Sequence, residues 1–211
     1  MKIYLFSVAA ILASLFLHGQ ELKPIQLNSP DLSRGLNVLK ALSVRASVRE
    51  YSDRKLSLQD LSDLLWAANG INRPEKGGRT APSSMNSQDI DVYVFLEEGA
   101  YLYDAKNQLL SPLLNGDHRK LTGTQEYVGT APVSLLLISD ISRFKSGDEA
   151  GKLRSAAFDA GIVSQNISVF CASAGLATVP RASVDAAKVK TLLNLKETQY
   201  ILLNHPVGYP K

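Results

Sequence analysis

The chain has 211 residues, 45% of them hydrophobic and 20% charged, with a formal charge of +3. That composition suits one globular domain with a real core, and the mild charge gives no case for nucleic acid, which needs a concentrated basic patch. One cysteine, Cys171, and three scattered histidines, His18, His118 and His205, leave no internal disulfide and no Cys or His metal cluster to expect.

Lys2 precedes an apolar run over 3–17, broken only by Ser7 and Ser14, and the run stops at His18-Gly19-Gln20. This reads as a secretory signal over 1–20, shorter than the roughly 20 residues a membrane span needs. Cleavage is placed near Gly19 or Gln20, with an uncleaved anchor as the alternative. The mature domain is then 21–211, exported to the periplasm, with no stable membrane span.

Pro30 suits a helix start, and Leu32, Leu36, Leu39 and Leu42 recur at helical spacing. A polar connection, Arg45 to Tyr51, follows. Ser57-Leu58-Gln59-Asp60 has the form of a capping box, opening a helix with Leu58, Leu61, Leu64, Leu65 and Ala68 on its apolar face and Asn69-Gly70 at its end. Residues 70–88 show little hydrophobic pattern and read as a long functional loop. Ile90, Val92, Val94 and Leu96 alternate as a strand, and Glu97-Glu98-Gly99 turns it into a hairpin with Ala100–Tyr103. One or two short helices are expected over 105–130, and a central strand over 132–138. The longest helix runs from about Lys152 to Ser173, rich in small residues. Thr178–Pro180 is extended, Ser183 caps a helix reaching Leu195, and Tyr200–Asn204 is the last strand. This order predicts an α+β fold.

Three segments could carry chemistry. In an extended Arg45-x-Ser47-x-Arg49, side chains two apart share one side, and two guanidiniums with a hydroxyl could grip a phosphate. Taken alone, solvated cations at a helix C-terminus explain this segment better. Pro82-Ser83-Ser84-Met85-Asn86-Ser87-Gln88 is dense in donors and acceptors matching the polar edge of a heterocycle, or is simply a polar loop. Val179-Pro180-Arg181-Ala182-Ser183 leads into a helix N-terminus whose free N–H groups can stabilise negative charge, or is only helix punctuation.

In their order and spacing these segments, with Asp159-Ala160-Gly161, Ala174-Gly175-Leu176 and Pro206-Val207-Gly208-Tyr209-Pro210, resemble the nitroreductase family of FMN enzymes over roughly Leu39 to Lys211. Arg79–Ser83 and Tyr101–Asp104 look closest to the branch that includes azoline-forming peptide dehydrogenases. The resemblance implies a mixed or antiparallel central sheet flanked by helices, in an intertwined homodimer. It places Arg45, Ser47 and Arg49 on the FMN phosphate and ribityl chain. It brings Pro82, Ser83, Ser84, Met85 and Asn86 to the flavin from the partner subunit. It lays Pro180, Arg181, Ala182 and Ser183 along the reactive edge. Relatives often carry glycine where Ser183 stands, and basic residues beyond the Val-Gly-Tyr-Pro segment, a part that falls here to Lys211. The implied activity is ping-pong electron or hydride transfer from NAD(P)H, or another reductant, to an electron-poor small molecule. The flavin carries the chemistry and no catalytic side chain is required. The alternatives are oxidation of a peptide heterocycle and ligand binding without turnover.

Overall fold

The computed structural model describes residues 21–211; the signal segment expected over 1–20 lies outside them. Seven strands form the main sheet: β1 (Ile25–Gln26), β4 (Ile90–Phe95), β5 (Gly99–Asp104), β6 (Leu109–Asn115), β7 (Val133–Asp140), β8 (Ala177–Thr178) and β9 (Gln199–Gly208). Their spatial order is β1-β6-β5-β4-β7-β9-β8, and every pairing is antiparallel. The expected α+β class holds, and of the two expected sheet types the antiparallel one is found. A separate ribbon pairs β2 (Ile71–Arg73) with β3 (Gly78–Arg79).

The helices are α1 (Val38–Val44), α2 (Leu58–Asn69), α3 (Glu149–Ala174) and α4 (Ala186–Leu192). Val92, Val94, Leu135 and Leu137 face one core with Leu64 and Leu65 of α2 and Val163 and Ile167 of α3. Their strand neighbours Tyr93, Phe95, Leu136 and Ile138 face the opposite core with Val189 of α4 and Leu195. Burial on both faces is why β4 and β7 read as near-continuous apolar runs.

Four expectations need correction. The first helix does not start at Pro30. Asn37 caps it, its side chain accepting from Lys40 N–H at 2.9 Å, and Leu32 and Leu39 are exposed. Residues 70–88 are not one open loop but hold the ribbon and a 3₁₀ turn, Ser84–Asn86. The short helices expected over 105–130 are a full strand, β6, then two 3₁₀ turns at Arg119–Thr122 and Glu126–Gly129. Ser183 does not cap the last helix; Asp185 does, accepting from Lys188 N–H at 3.2 Å.

The Ser57 cap stands, with a difference. Ser57 Oγ accepts from Asp60 N–H at 3.0 Å, but the Asp60 carboxylate does not accept from Ser57 N–H, which donates to the Tyr209 hydroxyl at 3.4 Å. The carboxylate takes Ser57 Oγ at 2.7 Å, the Tyr209 hydroxyl at 2.5 Å and the Arg34 guanidinium. These bonds hold its pKa below the usual carboxylate range against the opposing effect of burial. Asp60 thereby ties the start of α2 to the 31–34 turn and to the C-terminal residues.

Pro206 lies inside β9 at no cost to its main ladder. Asn204 N–H donates to Arg181 O, away from β7. Pro206, two residues on, has its nitrogen on that same outer side, where a missing N–H removes no bond to β7.

Candidate functional site

Helix α1 ends where the Arg45 N–H donates to Ala41 O, and the chain leaves it extended. Val48 N–H donates to Thr178 O at 3.0 Å, Tyr51 forms a bridge with Pro210, and Ser52 N–H donates to Tyr209 O at 3.0 Å. The segment is thus laid against β8 and residues 209–210. Arg45, Ala46, Ser47, Arg49 and Glu50 are all exposed and Val48 alone is half-buried, so burial over this segment does not alternate with the period of two expected of extended backbone. Lys211 is exposed beside the same bridge. Among the described residues none of Arg45, Arg49 or Lys211 is in an ion pair. A cleft of about 200 Å³ lies alongside, lined by Ala46, Val48, Ser168, Cys171, Gly175 and Pro210. Free guanidiniums, an ammonium and a hydroxyl beside a cleft walled by small residues are donors that fit a phosphate monoester.

The Val179–Ser183 segment joins this edge. Arg181 exchanges backbone bonds with Asn204, at 3.0 Å and 2.7 Å. Its N–H is therefore committed. Among the described residues, the N–H groups of Ala182 and Ser183 have no backbone partner. The Arg181 guanidinium sits 5.2 Å from the Tyr127 ring centroid, and Tyr127 is 6.4 Å from Tyr51. Its Nη2 donates to Ser183 Oγ, while its buried Nη1 has no partner. This Tyr51–Tyr127–Arg181 stack couples the phosphate-type segment to the exposed Pro180 and Ala182. Tyr51 donates to Val48 O at 2.9 Å, and burial raises its hydroxyl pKa.

Pro82–Asn86 is elsewhere. Ser84 docks on α3: its N–H reaches both Asp159 oxygens at 2.9 Å and its hydroxyl donates to Asp159 Oδ1 at 2.9 Å. Ser83 Oγ accepts from Gln88 N–H at 2.8 Å. Met85, Asn86 and Gln88 take φ of 54°, 51° and 47°, in the left-handed region that non-glycine residues rarely enter. Pro82, Met85 and Asn86 are exposed, and Ser83 and Ser84 half-buried. Arg79 Nε donates to Gln88 Oε1 at 3.0 Å and Arg143 Nη1 to Gln88 O at 2.9 Å, so two guanidiniums hold the loop's end.

Along α3, Asp159 and the Gly175 end stand about 24 Å apart at 1.5 Å per residue. The first and third segments therefore meet within one protomer, and the second does not meet them there.

Beneath the 82–88 loop, Asp89 is fully buried and Asp159 nearly so. Asp89 takes Ser139 Oγ at 2.5 Å and Ser87 Oγ at 3.0 Å, and the Asp159 carboxyl is its neighbour. Burial, with the neighbouring Asp159 carboxyl, pushes its pKa up to about 6. Near β8, buried His205 bonds Ser164 Oγ at 2.8 Å and Thr178 Oγ1 at 3.2 Å, and burial depresses its pKa to about 3. Cys171 is buried and burial pushes its thiol pKa up, so it is a packing residue.

Residues 42–209 match the nitroreductase family model. The chain belongs to the nitroreductase family. A Methanocaldococcus jannaschii protein assigned as a nitroreductase is 29% identical over 196 residues, covering 87% of this chain and 96% of that protein. A Ralstonia eutropha structure, also assigned as a nitroreductase, is 35% identical with a TM-score of 0.85, covering 92% of both chains. An FMN reductase [NAD(P)H] of Bacillus subtilis is 26% identical over 187 residues, covering 82% of this chain and 66% of that enzyme. The protein is thus an enzyme of the FMN-dependent nitroreductase type.

Within this nitroreductase, sequence reasoning missed Asp89, Tyr127 and the Arg79–Gln88 tether, and left Asp159 without a role. The signal for Asp159 was an acidic residue on the buried side of a helix. Aspartate is rarely fully buried without a partner, but the partner, Ser84, is 75 residues away in sequence.

Proposed function

We propose that this protein is an exported FMN-dependent oxidoreductase that works by ping-pong electron or hydride transfer. NAD(P)H, or another reductant, is the donor, and an electron-poor small molecule is the acceptor. The observation that carries this reading is the backbone docking of the 45–52 segment, with its exposed Arg45, Ser47 and Arg49, on Thr178 and on Tyr209–Pro210 next to Lys211. Arg45, Ser47, Arg49 and Lys211 hold the FMN phosphate and ribityl chain. The N–H groups of Ala182 and Ser183 meet the polar edge of the ring, with Pro180 and Arg181 beside it. When bound there, FMN supplies the redox chemistry, and this chain's residues bind, orient and exclude water.

Pro82, Ser83, Ser84, Met85 and Asn86 complete the site from a second copy in an intertwined homodimer. Two observations support that arrangement. The roughly 24 Å between the two parts along α3 separates them within one chain. Leu39 on α1 is 80% exposed and Phe158 on α3 is 63% exposed, with Leu42 and Ile162 also exposed. Exposed apolar side chains on these two helices are what a second copy would cover.

The absorption spectrum of the purified protein tests the reading. A yellow protein that releases FMN on denaturation is expected, and a colourless protein that ignores added FMN overturns it. Turnover of nitroaromatics against heterocycle-bearing peptides separates the general reductase from the azoline-dehydrogenase branch, and flavin binding with neither turnover marks a binder. Export is tested by N-terminal sequencing of the mature protein, which is expected to begin near residue 20 or 21. A mature protein that begins at Met1 and is recovered only from the cytoplasm overturns export.

A further inference from the structure

Two neighbouring carboxyl groups are buried beneath the loop that the proposed function brings to the flavin. Asp89 precedes β4 and Asp159 projects from α3, and among the described residues neither is in an ion pair. The nearest cations are already engaged. Arg143 pairs with Asp91 and donates to Gln88 O, and Arg79 donates to Gln88 Oε1 and Asn69 O. The remaining groups around the pair are the Ser87 and Ser139 hydroxyls on Asp89, and Ser84 on Asp159. Asp140, next along β7, meets Asp89 only through its backbone N–H, at 2.9 Å from Asp89 O. Like charges side by side in a desolvated site ionise together only at a cost in free energy.

We propose that Asp89 and Asp159 share one proton, and that the protonated pair is the positioning device that holds the Ser83–Gln88 loop in its left-handed conformation. Asp159 offers both oxygens to Ser84 N–H, and Asp89 holds Ser87 Oγ. The two acids therefore grip the loop on both sides of Met85 and Asn86, whose positive φ is unfavourable without outside bonds. A shared proton turns the contact between the acids from repulsion into a hydrogen bond. Both are positioning residues, since neither touches a reacting atom. Their relevance to the flavin site rests on the proposed function; the pair itself does not.

The proton sets a direction. In the closed loop Asp89 titrates near 6, above the ordinary value of 3.8. If opening exposes the pair to water, closing is tightest in acid, weakens as pH rises from about 4 to 6, and levels off above that. The change over that range amounts to about a hundredfold in the closing equilibrium.

Hydrogen exchange on the flavin-free protein tests this at Ser84–Gln88. After correction for intrinsic exchange, protection is expected to fall about tenfold per pH unit between 4 and 6 and then to flatten. In D89N, an uncharged stand-in for the protonated acid, the fall should vanish. PH-independent protection in the wild type, or the same fall in D89N, overturns the proposal. Should D89N not fold, infrared titration of the wild type decides. A carboxylic acid C=O band lost with a midpoint near 6 supports the shared proton, and its absence at pH 5 refutes it. FMN affinity then adds the functional readout: the wild type should bind more tightly at pH 5 than at pH 7.5, beyond any change seen in D89N. That control is needed because the FMN phosphate itself titrates near 6. The exchange pattern found in a protein that never binds FMN would leave the acid pair standing and refute the flavin reading alone.

Discussion

Replacing Arg45 by alanine separates cofactor binding from folding. The guanidinium is exposed and makes no ion pair, so its loss should change the stability of the flavin-free protein by less than about 0.5 kcal/mol. Against a phosphate, the same group would make charge-assisted bonds worth about 1.5–3 kcal/mol. At 1.36 kcal/mol per decade, FMN affinity should fall by roughly 10- to 150-fold. Ser47→Ala removes a single neutral hydroxyl and should cost about 1 kcal/mol, or roughly fivefold. Titration of the flavin-free protein with FMN, followed by quenching of flavin fluorescence, measures both, with a thermal melt beside it. If R45A binds FMN within threefold of wild type while folding normally, the phosphate does not sit at this edge. Equal losses for riboflavin and FMN would refute the assignment too, since riboflavin has no phosphate to lose contact with.

Asp60→Asn should destabilise the fold by about 2–3 kcal/mol, because the carboxylate serves Arg34, Ser57 and Tyr209 together; a chain of this size should melt about 5–10 °C lower, and a melt within 1 °C would contradict the bond pattern. Asp89 has a raised pKa, so its contribution is fully present below 3.8 and lost as pH rises through about 6. Denaturant titration at pH 7.5 should accordingly find D89N more stable than wild type, by at most about 3 kcal/mol. His205 runs the other way. Its depressed pKa leaves stability intact above 6.5 and removes it as pH falls toward about 3, so acid unfolding of D89N should still set in below pH 6.5. Phe158→Glu and Leu39→Glu should shift sedimentation from dimer to monomer; a dimer that survives both would move the interface off α1 and α3.

What the sequence made legible were features written locally. Ser57 announced its helix, Gly175 ended another at φ 70°, and the apolar runs of β4 and β7 declared buried strands. Leu109–Asn115 misled because Pro112 and the polar residues around it weaken the strand pattern, while its identity comes from pairing with β5. The leucines at 32 and 36 carried helical spacing but are exposed and precede the helix, so spacing alone could not show where the helix begins. At the site, the basic and polar residues of 45–49 were readable, whereas the partners of Val48 and Tyr51, Thr178 and Pro210, are 130 and 159 residues away along the chain. The Asp89–Asp159 contact was invisible for the same reason. Single acids on a helix and before a strand carry no mark of each other until the sheet is assembled.

The place of β9 in the sheet bears on how the chain folds. Residues 199–208 are made late, yet they lie between β7 and β8 rather than at an edge. Until they emerge, from a ribosome or from a translocation channel, β7 presents an open side and β8 has no neighbour to pair with. The stretch 45–52 then also lacks its footing on Tyr209 and Pro210. Vectorial synthesis should therefore yield a waiting intermediate built on β4 to β7, with an unprotected strand edge that is prone to aggregation. The edge closes only when the final strand slots in, and the anchor of the phosphate-type segment arrives with that same step.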